Sequence, residues 1–158
     1  MPQLVPWLLV VHVMSAIIAF GPTYAFATYG AQGGKEPQHV NFMVRANHFV
    51  SDRLVLPVAL TMPISGVLLI WAAGIDLFAA HWLLLAIVIY IFAISFSVLV
   101  QRKATIRLED LTATPPPPGA GGPPPAVLAT VKQIRQGGML LGLLVVVIVT
   151  LMIVKPAF

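Results

Sequence analysis

The chain contains no cysteine among its 158 residues. That absence removes disulfides, thiolate metal sites, iron–sulfur clusters and c-type haem attachment together. Charge is nearly as scarce, at 9% of residues, where soluble domains carry about a quarter. Only five residues are acidic, and most lie between apolar runs. Nothing resembles a paired-carboxylate hydrolase, a P-loop, a dinucleotide fingerprint or a nucleophile triad. What remains is apolar: 59% of residues are hydrophobic and the mean hydropathy is +0.95. Such a chain has too little polar surface to face water all round, and it reads as an integral membrane protein. The net charge of +4 is no nucleic-acid signal, because the basic residues gather at the ends of apolar segments. There they orient helices in a bilayer.

A span needs about 20 mostly apolar residues to cross a hydrocarbon core of roughly 30 Å. Four runs qualify, 4–29, 54–73, 81–100 and 138–154, and the last can be extended inward by the amphipathic stretch 126–136. The fold class is therefore all-α: one domain over 1–158, a polytopic bundle of four transmembrane helices. A helix is expected to begin near Gln38 in the interface and run into span two, and "GIDLFAAH" is a tight turn between spans two and three. The link 112–125 holds "TPPPPGAGGPPP", which cannot be helical and reads as extended or disordered. Ala25-Phe26-Ala27 mimics a signal-peptide cleavage site. However, no Lys or Arg precedes Lys35 and the apolar run is too long, so this segment is expected to stay as a helix.

Eight of the nine basic residues fall in the first and third connections, and only Lys155 lies on the opposite side. The expected orientation puts both termini outside and the long links in the cytoplasm of a bacterial-type inner membrane. Helices in lipid associate through small residues. Ala16, Ala19, Thr23 and Ala27 share a side of span one with His12, and span four carries Gly138 and Gly142. Pro57 and Pro63 in span two imply a kink, with freed carbonyls that need partners.

Polar residues divide by depth. The outer group is His12, Asp76 and His81, with Trp7 and Trp82 as interface anchors. An imidazole in hydrocarbon is either a ligand for haem iron, copper or zinc, or a packing group bonded to a carbonyl or a Ser/Thr of a neighbouring helix. His12 and His81 are the better-placed pair for a shared metal. The inner group is Arg45, His48 and Asp52, at i, i+3 and i+7 along one helix face. It could hold a haem propionate, a quinone head group or a lipid phosphate through Arg45, with His48 as ligand or proton carrier. The simpler alternative is an interfacial helix that lays its basic residues on anionic lipid and pairs His48 with Asp52. His12 and His48 differ in depth by about 20 Å or more, too far to share one iron. His39 falls in a loop and is expected to be solvated, and Lys155 to snorkel at the outer interface.

These marked positions carry a resemblance: "VVHVMSAIIAFGP", then "MVRANHFVSDRLVLPVALTMPISG", then a closing helix ending in "MIVKP". The chain resembles small bacterial four-helix membrane proteins related to the copper-resistance protein CopD and to the haem-binding protoporphyrinogen oxidase HemJ. It is most similar to a domain-of-unknown-function branch of that group. The resemblance covers most of the chain outside the Pro-rich link. It implies that His12 is the first-helix histidine that contacts haem or metal. Arg45 then matches the basic residue leading into the second helix, Pro57 its proline and Lys155 the terminal Lys-Pro. The oxidase activity is not carried over, because neither an electron acceptor nor a substrate pocket is legible.

Two functions follow as expectations. One is a redox or metal-handling membrane protein binding haem b, with copper as the alternative, through His12, Arg45 and His48, or through His12 and His81. The other is a non-catalytic accessory subunit of a respiratory or photosynthetic complex. Membrane lipids are partners in either case, and other subunits or a homo-oligomer are compatible with both. A transporter ranks below them, since four spans without inverted repeats leave little room for alternating access.

Overall fold

Among the described residues four long helices, Val5–Gln32, Val40–Ala73, His81–Thr112 and Pro125–Val154, are each long and apolar enough to span a membrane. The computed structural model describes residues 2–33, 35–114 and 122–157, is 88% helical, and has no strand among the described residues. We label the regular α-helical segments α1 (Val5–Gly33), α2 (Val40–Val50), α3 (Leu56–Ala73), α4 (His81–Phe96), α5 (Arg102–Thr112) and α6 (Pro125–Val154). The expected helix from about Gln38 into span two is present, as α2 running into α3. The inward extension of span four is present as the first turns of α6.

Two single π turns interrupt the rods, Ser51–Val55 between α2 and α3 and Ser97–Gln101 between α4 and α5. The first has a local cause. Pro57 has no N–H and its ring crowds the carbonyl four residues back, so the chain widens just before it, and the Leu56 N–H reaches back to Ser51 O. The second has no proline beside it. One extra residue rotates everything after it by about 100°, which turns the polar face of α5 toward α2. Here the structure differs from expectation: span three does not give way to a link near residue 100. Its helix continues to Thr112, and the central part of the proline tract, 115–121, lies outside the described residues.

The ends of the helices follow from local chemistry. Gly74, at φ 64°, closes α3: its N–H bonds Trp71 O and the next N–H, of Ile75, bonds Ile70 O, the two-bond pattern of a Schellman motif. Asp76 Oδ1 then accepts the N–H groups of Phe78 and Ala79 and shapes the turn into α4. At the other terminus Lys155 takes a left-handed φ of 47° before Pro156, and its Nζ lies 5.8 Å above the Trp82 ring. All three tryptophans, Trp7, Trp71 and Trp82, sit at this end of the bundle. We call it the tryptophan end and the opposite one the basic end.

The core is small. Ala19, fully buried, packs with Ala59 and Met62, and Ala16, Phe20, Val58, Tyr90 and Ile94 close around them. This seam joins α1 to α3; α4 and α5 lie along α6, and α2 lies along α5. Only 6% to 17% of each span's most apolar window is buried inside the chain. The large apolar side chains point outward, as lipid-facing helices require, and small residues let the backbones meet.

Candidate functional site

At the basic end α2 and α5 run antiparallel and carry matched charges. On α2 and the π turn after it, Arg45 and Asp52 are seven residues apart; on α5, so are Arg102 and Glu109. The two pairs meet head to tail. Arg102 grips Asp52 with Nε at 3.0 Å from Oδ1 and Nη2 at 2.7 Å from Oδ2, a bidentate fork. Arg45 Nε stands 3.9 Å from Glu109 Oε1. His48 lies between these pairs. Its Nδ1 is 2.8 Å from Glu109 Oε2 and its Nε2 is 3.3 Å from Asp52 Oδ2, within ion-pair distance but without hydrogen-bond alignment. Asn41 completes the contact by donating to Glu109 O and to Thr112 Oγ1, which caps the last turn of α5.

The structure thus brings Arg45, His48 and Asp52 together, as their spacing implies, and supplies partners that the sequence reading missed. Arg45 remains mostly exposed, with 68% of its side chain open. In the sequence alone, Arg102 looks like any interfacial arginine and Glu109 like part of a link. Their seven-residue separation, equal to that of Arg45 and Asp52 and with the same order of signs, was the available signal, because two such segments match when they run antiparallel.

Further in, a cavity of about 70 Å3 touches all four spanning segments. A water needs roughly 10–15 Å3, so the space holds a few waters or a small apolar group. Its polar end is formed by Thr23, Ser51, Asp52, Ser97 and Arg102, and its walls are aliphatic and aromatic. Tyr90 reaches in from α4 and donates its hydroxyl to Ala59 O. The reason lies in the sequence: Ala59 O would ordinarily accept the N–H four residues on, but that residue is Pro63 and has none. One freed carbonyl of the expected kink is thereby satisfied in the middle of the bundle, where an unpaired one would be costly.

Towards the tryptophan end, His12 of α1 faces α3. Its Nδ1 lies 2.8 Å from Ser65 Oγ, and Ser65 Oγ donates its single proton to Met62 O at 2.9 Å. His12 Nδ1–H must then be the donor to Ser65, which leaves the lone pair on Nε2. Gly66 makes room for the ring: a Cβ there would come within 3.6 Å of His12 Cε1. Ser65 is 17 residues beyond His48 on a continuous helix, about 25 Å at 1.5 Å per residue, so His12 and His48 do not meet. His81 is exposed at the first turn of α4, roughly 12 Å nearer the helix ends than His12 by the same rise. Among the described residues, no group of three or more His, Asp or Glu side chains is placed to hold a metal ion. His39 is exposed in a short turn, where it and Gln32 bond Glu36 and hold that carboxyl below the usual carboxylate range.

The remaining seam is between the π turn after α4 and α6. Gln101 Nε2 donates to Ile134 O at 3.0 Å, and its carboxamide lies on Gly137, where any Cβ would overlap it. Gly142, five residues further, takes the Tyr24 ring, whose hydroxyl approaches Gly142 O at 3.5 Å. The small-residue face of span four therefore uses Gly137 and Gly142 for these contacts.

A family model described as a predicted integral membrane protein, DUF2269, matches residues 6–156, nearly the whole chain. No curated protein and no solved structure matches.

Proposed function

Given that the chain belongs to the DUF2269 family of predicted integral membrane proteins, we propose that it is a redox or metal-handling protein that holds a b-type haem on His12. We place it in a bacterial inner membrane with the basic end in the cytoplasm and both termini outside, on the strength of the asymmetry in Lys and Arg.

One observation carries this reading: the His12 ring is fixed by Ser65, with Nδ1 donating and Nε2 left as the atom with a lone pair. Ligating histidines are oriented in this way, by donating the other ring N–H to a fixed acceptor. The imidazole of His12 would hold a haem iron through Nε2. Copper asks for more ligands, and a single oriented imidazole matches it less well. The likeness of the first-helix histidine to that of the CopD and HemJ proteins points the same way. When bound, haem would supply one-electron chemistry; the chain's own contribution is to position Nε2 and exclude water from the α1–α3 seam. The central cavity is too small for a macrocycle, and this reading does not use it.

The test is spectroscopic. Protein purified from membranes should show a Soret band, His12→Ala should lose it, and Ser65→Ala should weaken retention of haem by about 10–100-fold. Full haem content in His12→Ala would overturn the assignment. A second reading is favoured by a different observation: His12 and Ser65 also satisfy each other as a helix-packing pair, as an accessory subunit of a larger complex would need. A colourless, metal-free protein that leaves the membrane only with tightly held partner subunits would support that reading instead.

A further inference from the structure

The cavity at the level of the two π turns has the composition of a ligand site that the haem reading leaves unused. Its walls come from all four spanning segments and are apolar, with Phe20, Leu56, Ile94 and Val145 among them, and its polar groups converge at one end. Small-molecule sites share that pattern of an apolar body with a few placed polar groups. The π turns explain the convergence. Both carry a serine as first residue, Ser51 and Ser97, and both serines line the cavity. Single π turns inside α-helices are frequent at functional positions.

Arg102 decides the chemistry of the ligand. Among the described residues it is the one basic residue lining the cavity, and Asp52 occupies Nε and Nη2. A guanidinium has five donors in a flat fork, so one edge, with Nη1, is left to a second acid without displacing Asp52. The matching ligand carries a carboxylate or phosphate head for that edge and a short apolar body for the cavity beyond it. Asp52 and the hydroxyls of Ser51 and Ser97 disfavour a purely apolar guest at that end.

We propose that this cavity is a binding site for a short amphipathic acid, with the acid head on Arg102 and the apolar body directed toward Tyr90. The site is separate from His12, and a His12→Ala variant keeps it whatever becomes of the haem.

Because the chain has no cysteine, Ala93→Cys places a single thiol on the cavity wall. In full-length protein reconstituted in neutral-lipid nanodiscs, butyrate should slow alkylation of that thiol by iodoacetamide, saturably. Protection follows 1 + [L]/Kd, roughly tenfold near ten times Kd. Propyl phosphate should act like butyrate, whereas butanol and butylamine should protect little. Arg102→Lys keeps a cation beside Asp52 but removes the fork, and it should abolish protection, while Arg45→Gln should leave it intact. Equal protection by butanol, or protection that survives Arg102→Lys, would overturn the proposal. The unsubstituted protein provides an independent check: butyrate should raise its Tm saturably and butanol should not, and identical responses to both would also reject the site.

Discussion

The two halves of the bundle satisfy their polar groups by different means. At the basic end five ionisable side chains, Arg45, His48, Asp52, Arg102 and Glu109, pair across α2 and α5 in one ladder. From the middle toward the tryptophan end, the side-chain contacts that join the helices are between neutral groups: Ala59 O has the Tyr90 hydroxyl, and His12 has Ser65. Depth accounts for the difference. Near the interface, water and head groups solvate whatever charge the ladder leaves unpaired, so ion pairs cost little and contribute modestly. In hydrocarbon a charge is expensive and an unpaired carbonyl costs several kcal/mol, so single neutral hydrogen bonds suffice and each one matters more.

That contrast can be broken at several points, and the largest effect is expected at the seam itself. Ala19→Leu inserts three carbons where α1 and α3 touch, and overpacking of that kind costs about 1–3 kcal/mol or more. Unfolding titrated with denaturing detergent should show it as the most damaging single change among those considered. Next comes Tyr90→Phe, which leaves Ala59 O without a donor at a cost of about 1–3 kcal/mol. Pro63→Ala restores a backbone N–H to that carbonyl. In the double variant the loss of the Tyr90 hydroxyl should therefore be nearly silent, and full additivity in the cycle would reject the pairing. Gly137→Ala should cost a similar or smaller amount, again about 1–3 kcal/mol. Gln101→Ala should relieve most of that cost, because the clash is with the Gln101 carboxamide.

Effects at the basic end should be smaller. Arg45→Gln is expected to change stability by less than about 1 kcal/mol, as for exposed ion pairs generally. At Glu36 the sign of the pH effect is fixed. Its carboxyl is held low by His39 and Gln32, so the small stabilisation is present above the ordinary carboxylate range and is lost as the pH falls. Glu36→Gln should remove that dependence in thermal melts taken at decreasing pH and change little else.

Much of this frame was legible in the residues. Long uncharged runs, the turn at Gly74, and the proline-freed carbonyls follow from hydropathy, backbone conformation and the missing N–H. The sequence "RKATIRLEDLT" is helical in the structure, but its charge density reads like a connection when taken alone. Its meaning appears only against α2, where Arg45 and Asp52 present the complementary spacing. His12 reads as a ligand or a packing group, but its partner is open to any Ser, Thr or carbonyl on three other helices. Choosing Ser65 required the close approach of α1 and α3 that Ala19, Ala59 and Gly66 permit. The cavity was not legible at all, since it forms only where residues of all four spans and both π turns come together, and the turn at Ser97 has no proline to announce it.

The ladder between α2 and α5 is the contact on which the basic end depends, and exchanging its best-formed pair tests it most directly. Asp52→Arg alone and Arg102→Asp alone each bring like charges together and should lower the detergent concentration of half-unfolding. The combined Asp52→Arg, Arg102→Asp protein should recover most of that loss, because the fork is rebuilt in reverse. A combined variant as unstable as the sum of the two single changes would contradict the antiparallel pairing of α2 with α5.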